Sequence, residues 1–239
     1  MRIAMWSGPR NLSTAMMYSF GNRDDVSVID EPFYACYLSQ TGRDHPMADR
    51  VLASQPQDTN EVTKGLLGPI PNGRPYYYQK HMTQHMLPGV DVSWMADVTN
   101  VFLIRHPARV AASFAKKQSD FEAWELGFDR QLELFQFAKS LGQTPIVIDS
   151  SDIRANPKQM LTKLCGALGI EFSEKMLAWP KGGHPDDGVW AAHWYGAVHN
   201  STGFDGLDAK MPQLTGALGK IVDKAEPLYE TLYQNRLRP

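Results

Sequence analysis

Segment 1–20 predicts a strand, a tight turn and a helix, and this unit constrains the fold more than any other part of the chain. The apolar segment 1–7 leads into a turn, after which apolar residues recur at helical spacing. A helix N-terminus has unpaired N–H groups and a partial positive charge, which together bind anions. Arg10, Ser13 and Thr14 add a guanidinium and two hydroxyls suited to phosphate or sulfate. The sequence therefore predicts an α/β protein whose first strand leads into an anion-binding loop.

This turn differs from the G-x-x-x-x-G-K-[ST] loop of ordinary ATPases and kinases. Counted from Gly8, the second glycine of that pattern falls on Ser13 and the lysine on Thr14. Because that lysine contacts the outer phosphates of a nucleoside triphosphate, its absence disfavours a P-loop kinase. A plain strand-to-helix turn with a serine cap is the structural alternative.

A second strand-to-helix unit lies near the middle of the chain. Segment 101–104 is apolar and partly β-branched, as expected of a buried strand, and it ends at Arg105. Pro107 suits a helix start, and Ser113 falls about two turns into that helix. Ligands of open α/β sheets bind outside the carboxyl ends of the strands, where Arg105 is expected.

The two units together resemble the sulfotransferases that use 3′-phosphoadenosine 5′-phosphosulfate (PAPS). Segment 9–14 resembles their loop P-[KR]-S-G-[ST]-T, with Asn-Leu in place of Ser-Gly. Their strand ending in Arg, with a Ser eight residues later, is matched by Arg105 and Ser113. The resemblance implies that the loop binds the 5′-phosphosulfate and that the Arg–Ser pair binds the 3′-phosphate. The donor-binding residues predicted in this way are Arg10, Asn11, Leu12, Ser13, Thr14, Arg105 and Ser113.

The resemblance covers most of the chain and implies a three-layer α/β/α fold with a mainly parallel central sheet, the P-loop NTPase-like sulfotransferase fold. It predicts one domain over residues 1–239. Segment 181–190 is similar to a loose version of the family's K-G…G-x-W lid, which adds Lys181 and Gly182 to the donor-binding residues. The family's adenine-stacking Trp is replaced by Ala15, so the stacking partner and the oligomeric state both stay open.

Sulfuryl transfer requires a base, cations near the moving group and in-line positioning. Glu31 follows the predicted strand 26–29 and would lie beside the first loop if the first two strands are neighbours. It resembles the base of sulfotransferases with an Arg-type loop. Lys80 resembles the lysine that acts on the sulfuryl group, and Arg10 is a second cation. His81 is the rival base, although it is one residue out of register with the family's K-x-H.

Composition narrows the classes of partner. The net charge of −2 argues against a general binder of nucleic acid or of membrane surfaces. There is no apolar run of about 18 residues, and the chain enters a predicted strand at once, without a signal peptide. The two cysteines form no disulfide framework, and no Cys/His spacing indicates zinc. We therefore expect a cytoplasmic protein. The resemblance to sulfotransferases further implies a small-molecule acceptor and chemistry without a metal, in which Arg and Lys carry the positive charge.

Four further segments carry structural expectations. Segment 40–75 has weak periodicity and many turn-forming residues, so it is expected to be irregular, as a lid or as a linker. Segment 121–141 is expected to be one helix, and the aromatic cluster 190–195 to line an acceptor pocket or to pack in the core. The C-terminal amphipathic helix is expected to be interrupted near Pro227.

The function expected from these features is transfer of a sulfuryl group from PAPS to a hydroxyl or an amine of a small molecule. Two alternatives stay open. One is a non-catalytic nucleotide-binding module of the same fold, and the other is a P-loop kinase acting on a small molecule.

Overall fold

The computed structural model describes residues 1–118, 121–204 and 206–239. The strands of the central sheet are β1 Arg2–Ser7, β2 Val26–Asp30, β3 Tyr76–Met82, β4 Thr99–Ile104 and β5 Ile146–Asp149. Their order is β2-β3-β1-β4-β5, and every adjacent pair is parallel. The carboxyl ends of all five strands therefore lie along one edge of the sheet.

Helices connect these strands. The α-helices are α1 Ser13–Gly21, α2 Tyr34–Thr41, α3 Ala48–Ser54, α4 Thr59–Leu67, α5 Pro107–Ala115, α6 Phe128–Ser140, α7 Ser150–Ala155, α8 Pro157–Leu168, α9 Ala191–Trp194, α10 Gly196–His199 and α11 Gly216–Tyr233. Short 3₁₀ helices span Pro71–Gly73, Thr83–His85, Ser93–Asp97, Ala123–Leu126 and Glu174–Leu177.

Side chains of β1 alternate between two apolar cores, one on each face of the sheet. Ala4 and Trp6 pack in the core formed with α4, α5, α6 and α11. Ile3 and Met5 pack in the core formed with α1 and α8. This alternation follows from the two-residue period of a strand, and it makes β1 buried on both faces. The three-layer α/β/α fold with a parallel sheet is thus confirmed.

The position of β3 changes one expectation about the site. β3 lies between β1 and β2, so the first two strands of the chain are not neighbours. Glu31, which follows β2, is therefore separated from the first loop by the end of β3. Lys80 occupies that end, and it contacts Glu31 directly.

Three sequence expectations about helices were wrong. Segment 40–75 contains α3 and α4, and Asp58 caps α4 by accepting hydrogen bonds from the N–H groups of residues 60 and 61. Segment 121–141 divides at Gly127, whose φ of +74° ends a 3₁₀ turn before α6 begins. Helix α11 continues through Pro227. Pro227 and Asp223 lie on the exposed side, where water can bind the carbonyl left free by the missing N–H.

Candidate active site

A cavity of about 250 Å³ opens at the carboxyl ends of β1, β3 and β4. It is lined by the first loop, the ends of these strands, α2, α5 and the segment 194–204. The sequence-predicted site residues that line it are Arg10, Asn11, Leu12, Ser13, Thr14, Glu31, Lys80, Arg105 and Ser113. His81, Lys181 and Gly182 are not among its lining residues.

The two predicted donor-binding units meet at one end of this cavity. The Arg10 Nε donates a hydrogen bond to the Ser113 Oγ at 3.0 Å, and the Arg105 Nη1 donates to the Arg10 carbonyl at 2.9 Å. Burial and the neighbouring Arg105 lower the pKa of Arg10. Two guanidinium groups held this close repel each other, so an anion between them would be stabilising.

The first loop holds an uncommon backbone conformation. Arg10 and Leu12 have φ values of 63° and 74°, and Glu31, across the cavity, has a φ of 40°. Such left-handed conformations cost free energy in residues other than glycine, and they cluster at functional sites. Gly8 allows the loop to pass close to its support, because a Cβ there would lie 2.3 Å from the Leu126 carbonyl oxygen.

Asp208, which the sequence analysis did not identify, binds Arg105 where the two donor-binding units meet. The Asp208 Oδ1 accepts a hydrogen bond from the Arg105 Nη2 at 2.8 Å, and its Oδ2 accepts from the Ser151 Oγ at 2.7 Å. The Nε atoms of Arg154 and Arg109 lie 3.3 and 3.6 Å from its two oxygens. Burial raises the pKa of Asp208, but the Ser151 hydroxyl and Arg105 outweigh it and hold the pKa below its ordinary value.

A buried ion cluster contributes Glu31, Lys80 and Tyr195 to the wall of the same cavity. The Lys80 Nζ lies 2.8 Å from both the Asp30 Oδ1 and the Glu31 Oε1, and it also donates to the Tyr195 hydroxyl. The Tyr195 hydroxyl lies 2.8 Å from the Asp30 Oδ2 and 3.1 Å from the Glu31 Oε1. The Trp190 Nε1 donates to that hydroxyl at 2.9 Å. The aromatic cluster 190–195 therefore contributes both to the core and to the cavity wall.

Burial and ion pairing act in opposite directions on the pKa values of Lys80 and Asp30. Burial lowers the pKa of Lys80, but Asp30 and Glu31 outweigh it and leave that pKa above its ordinary value. Burial also raises the pKa of Asp30. All three protons of the Lys80 ammonium have acceptors, so it reaches another group only by giving up a partner.

His81 and Lys80 face opposite sides of the sheet because they are adjacent in β3. The His81 ring stacks on Trp6 with a centroid distance of 4.5 Å and an angle of 24°, and it also contacts Trp94. Burial lowers the pKa of His81 to about 3. The structure thus places His81 in the apolar core, away from Glu31 and the arginines.

Lys181 and Gly182 also lie away from this cavity. Lys181 is exposed, and the Gly182 N–H donates to the His199 carbonyl at 2.9 Å. Further along the predicted lid segment, the Gly188 N–H donates to the Asp30 Oδ2 at 3.1 Å, in addition to the Trp190 contact with Tyr195.

Sequence reasoning missed the aromatic and polar residues beyond Glu31. The His85 ring stacks on Tyr34 at 4.6 Å and on Tyr37 at 4.9 Å. The Tyr34 hydroxyl hydrogen-bonds the His45 Nδ1 at 2.9 Å. Burial lowers the pKa values of His45 and His85, so both imidazoles are neutral at pH 7. The i, i+3 spacing of the two tyrosines is the one sequence signal that places them on a common face of α2.

The chain belongs to the sulfotransferase domain family, whose model matches residues 1–236. Its fold is similar to that of the sulfotransferase domain of the Synechococcus PCC 7002 olefin synthase, with a TM-score of 0.61 at 18% identity over 100% of this chain and 96% of that one. The sulfotransferase domain from the curacin biosynthetic pathway gives a TM-score of 0.64 at 16% identity, over 99% of this chain and 98% of that one. At these identities, the solved structures support the fold alone.

Two curated relatives come from Arabidopsis thaliana. The chain is 36% identical over 232 residues to branched-chain-amino-acid aminotransferase-like protein 2, and 37% identical over 230 residues to protein 1 of that name. Each match covers 96% of this chain but only 41% of the plant protein. The present chain therefore spans less than half the length of each plant protein, and their name applies to the longer chains.

Two further features concern residues 1–118, 121–204 and 206–239. No helix in them has the length and apolarity to cross a bilayer. No group of three or more His, Cys, Asp or Glu side chains among them is arranged to hold a metal ion.

Proposed function

We propose that this chain transfers a sulfuryl group from PAPS to a hydroxyl or an amine of a small molecule. One observation carries the proposal: Arg10, Arg105 and Ser113 contact one another in a cavity that Glu31 and Lys80 also line. An anion site and a carboxylate that line one cavity suit a charged donor and a neutral acceptor, which must lose a proton during the transfer. Membership of the sulfotransferase domain family supports this chemistry.

The donor end fits PAPS on the chemistry of its residues. Arg10, Ser13 and Thr14 would hold the 5′-phosphosulfate, and Arg105 and Ser113 the 3′-phosphate. The Arg105 Nε is buried without a hydrogen-bond partner, and the Asp208 carboxylate already binds this end as an anion. Both features favour a ligand with anionic oxygens.

Phe204 offers an aromatic face for the adenine. It lines the cavity and packs edge-on against Trp179 at a centroid distance of 5.2 Å. Ala15, where many family members have a tryptophan, also lines the cavity and leaves room beside the loop. We therefore assign the stacking contact to Phe204, since a purine packs well against an aromatic ring.

In the proposed mechanism, Glu31 is the base. Its Oε1 is held by Lys80, whereas its Oε2 lies 4.0 Å from the neutral His85 ring and is the oxygen left to accept the acceptor's proton. When bound, PAPS supplies the activated sulfuryl group, and 3′-phosphoadenosine 5′-phosphate (PAP) is released. Arg10 neutralises charge at the transferred group, and Lys80 positions Glu31. The acceptor's hydroxyl oxygen or amine nitrogen forms a bond to sulfur while its proton moves to Glu31. The bond between sulfur and the nucleotide phosphate breaks in the same step.

Two alternative functions make different predictions. A P-loop kinase would bind ATP with magnesium, but Thr14 stands where its loop requires a lysine. A non-catalytic module of this fold would bind PAP and transfer nothing. Neither explains why Glu31 holds a positive φ with its carboxylate at the cavity wall.

The proposal is tested by incubating the protein with PAPS and a panel of phenols, alcohols and amines. Sulfated product is followed by mass spectrometry and PAP by chromatography. Glu31→Gln should lower turnover by about 10²- to 10⁴-fold, the range of general-base contributions, while leaving PAP affinity unchanged. Glu230→Gln, an exposed position on α11, serves as the matched control. PAP binding without turnover on any acceptor would favour the non-catalytic module.

A further inference from the structure

A buried carboxylate that the mechanism does not use lies beside His45, in the part of the cavity that the proposed function leaves to the acceptor. Glu125 is only 3% exposed and lines the cavity. Its Oε2 accepts hydrogen bonds from the Arg43 Nη2 at 2.8 Å and from the Glu122 N–H at 2.6 Å. Its Oε1 has no hydrogen-bond partner, and the nearest imidazole nitrogen, the His45 Nε2, lies 3.8 Å away. One carboxylate oxygen is thus satisfied, and the other is buried and unpaired in the ligand-free protein.

A second buried acceptor lies on the wall of the same cavity. The Gln84 Oε1 is buried without a hydrogen-bond partner, and Gln84 lines the cavity. Buried polar atoms in native proteins are nearly always hydrogen-bonded, and leaving one unpaired costs free energy. Oxygens of this kind accept and do not donate, so the ligand group that satisfies them must carry an N–H or an O–H.

The other walls exclude an anionic group at this end. Glu31 and Glu125 both present carboxylates to the cavity, and the cations beside them, Lys80 and Arg43, are already bound to these carboxylates. Aromatic side chains line the remaining space, contributed by Tyr34, Tyr37, Phe114 and Trp194. Such side chains pack against an apolar body and also tolerate a cation.

We infer that the acceptor carries, besides the hydroxyl or amine that is sulfated, a second hydrogen-bond donor that binds the Glu125 carboxylate. The inference rests on the proposed function, since it identifies this end of the cavity as the acceptor end. The substrate class is a neutral or cationic small molecule with an apolar or aromatic body and a hydroxyl or an amine at each end. Molecules with a carboxylate or a phosphate at the far end are excluded.

Four phenols with the same two-carbon arm test this inference. 4-Ethylphenol carries no second donor, tyrosol carries a hydroxyl, tyramine an ammonium, and 3-(4-hydroxyphenyl)propionate a carboxylate. Their affinities are measured by calorimetry on the full chain with saturating PAP and again without it. Tyrosol or tyramine should bind at least about tenfold more tightly than 4-ethylphenol, and the propionate should bind most weakly. Binding of all four with equal affinity, or of none, overturns the inference.

Variants locate the preference in the structure. Glu125→Gln should reduce the advantage of tyramine over 4-ethylphenol by about tenfold, because it removes the charge but keeps the shape. Glu133→Gln, an exposed carboxylate on α6, should leave that advantage unchanged. Gln84→Leu removes the other buried acceptor on this wall and leaves the ion pair between Arg43 and Glu125 intact. It therefore tests the same preference for a second donor even if Glu125→Gln does not fold.

The outcomes separate this inference from the proposed function. PAP binding together with equal affinities for the four phenols would overturn the inference and leave the donor assignment standing. A preference for tyrosol or tyramine without any PAP binding would support the acceptor site and overturn the donor assignment. A tyramine preference that survives Glu125→Gln unchanged would overturn the role of this carboxylate.

Discussion

Removing the charge of Asp208 is expected to tighten the binding of PAP. The Asp208 carboxylate binds the Arg105 Nη2 at 2.8 Å, which is the guanidinium assigned to the 3′-phosphate. A phosphate that binds the Nη2 must displace the carboxylate, whereas the unpaired Nε by itself offers a single hydrogen bond. Asp208→Asn keeps the size of the side chain but weakens the interaction that the phosphate must replace.

The magnitude follows from the contacts that Asp208 makes. Its side chain is 9% exposed and that of Arg105 is 18% exposed, so solvent screens the pair only partly. A hydrogen bond to a charged group contributes about 1.5–3 kcal/mol. Losing one such bond from the ligand-free state should lower the dissociation constant of PAP by about 10- to 100-fold, since 1.4 kcal/mol corresponds to tenfold. The same change should make the ligand-free protein less stable by a similar free energy.

Calorimetric titration with PAP and urea unfolding without ligand test both parts of this prediction. Asp223→Asn on α11 is the matched control, because it removes an exposed carboxylate away from the cavity. PAP should bind Asp208→Asn more tightly than it binds the wild type, and the unliganded variant should unfold at lower urea. Unchanged or weaker PAP affinity in Asp208→Asn would refute the competition between this carboxylate and the 3′-phosphate.

Two further substitutions test the loop and the rival base. Gly8→Ala would place a Cβ 2.3 Å from the Leu126 carbonyl oxygen, so the affinity for PAP should fall sharply. Gly166→Ala is the control, because a Cβ there meets free space. Equal PAP affinities of the two variants by calorimetry would contradict the close approach at Gly8. His81→Phe should keep turnover within a few-fold and flatten the acid dependence of stability. In the native protein the pKa of His81 is about 3, whereas in the unfolded chain it is about 6.5. Below pH 6.5 the unfolded chain therefore binds a proton that the native protein does not. The free energy of unfolding then falls by up to about 1.4 kcal/mol for each pH unit. Urea unfolding at pH 7 and pH 5 measures this slope, and an unaltered slope in His81→Phe would count against the assignment.

The sequence predicted the parts of the site that follow strands directly. The apolar runs of β1 and β4 place Arg10 and Arg105 at the same edge of a parallel sheet, whatever the order of the strands. The contact between these residues, 95 positions apart in the chain, follows from that geometry. Their roles toward a nucleotide stay predictions, as does the role of Glu31.

Other parts of the site depend on tertiary contacts that no local pattern encodes. Asp208 meets Arg105 across 103 positions and lies in a segment without periodicity. His81 and Lys80 are adjacent in β3, so their side chains point to opposite faces of the sheet. Which of the two reaches the cavity depends on which face packs against each core. Glu125 looks like an ordinary acidic residue of a turn until its burial is known. The helices in segment 40–75 escaped prediction because α4 depends on its Asp58 cap and on packing rather than on a long apolar periodicity.

Calorimetric titration with PAP, adenosine 5′-phosphosulfate and ATP with magnesium, on the wild type and on Arg105→Ala, tests the central claim most directly. Arg50→Ala, which removes an exposed arginine on α3, is the control. The account predicts tight binding of PAP, weaker binding of the nucleotide that lacks the 3′-phosphate, and loss of this difference in Arg105→Ala alone. Equal binding of PAP and adenosine 5′-phosphosulfate by the wild type, or a preference for ATP with magnesium, would contradict the assignment of a PAPS site.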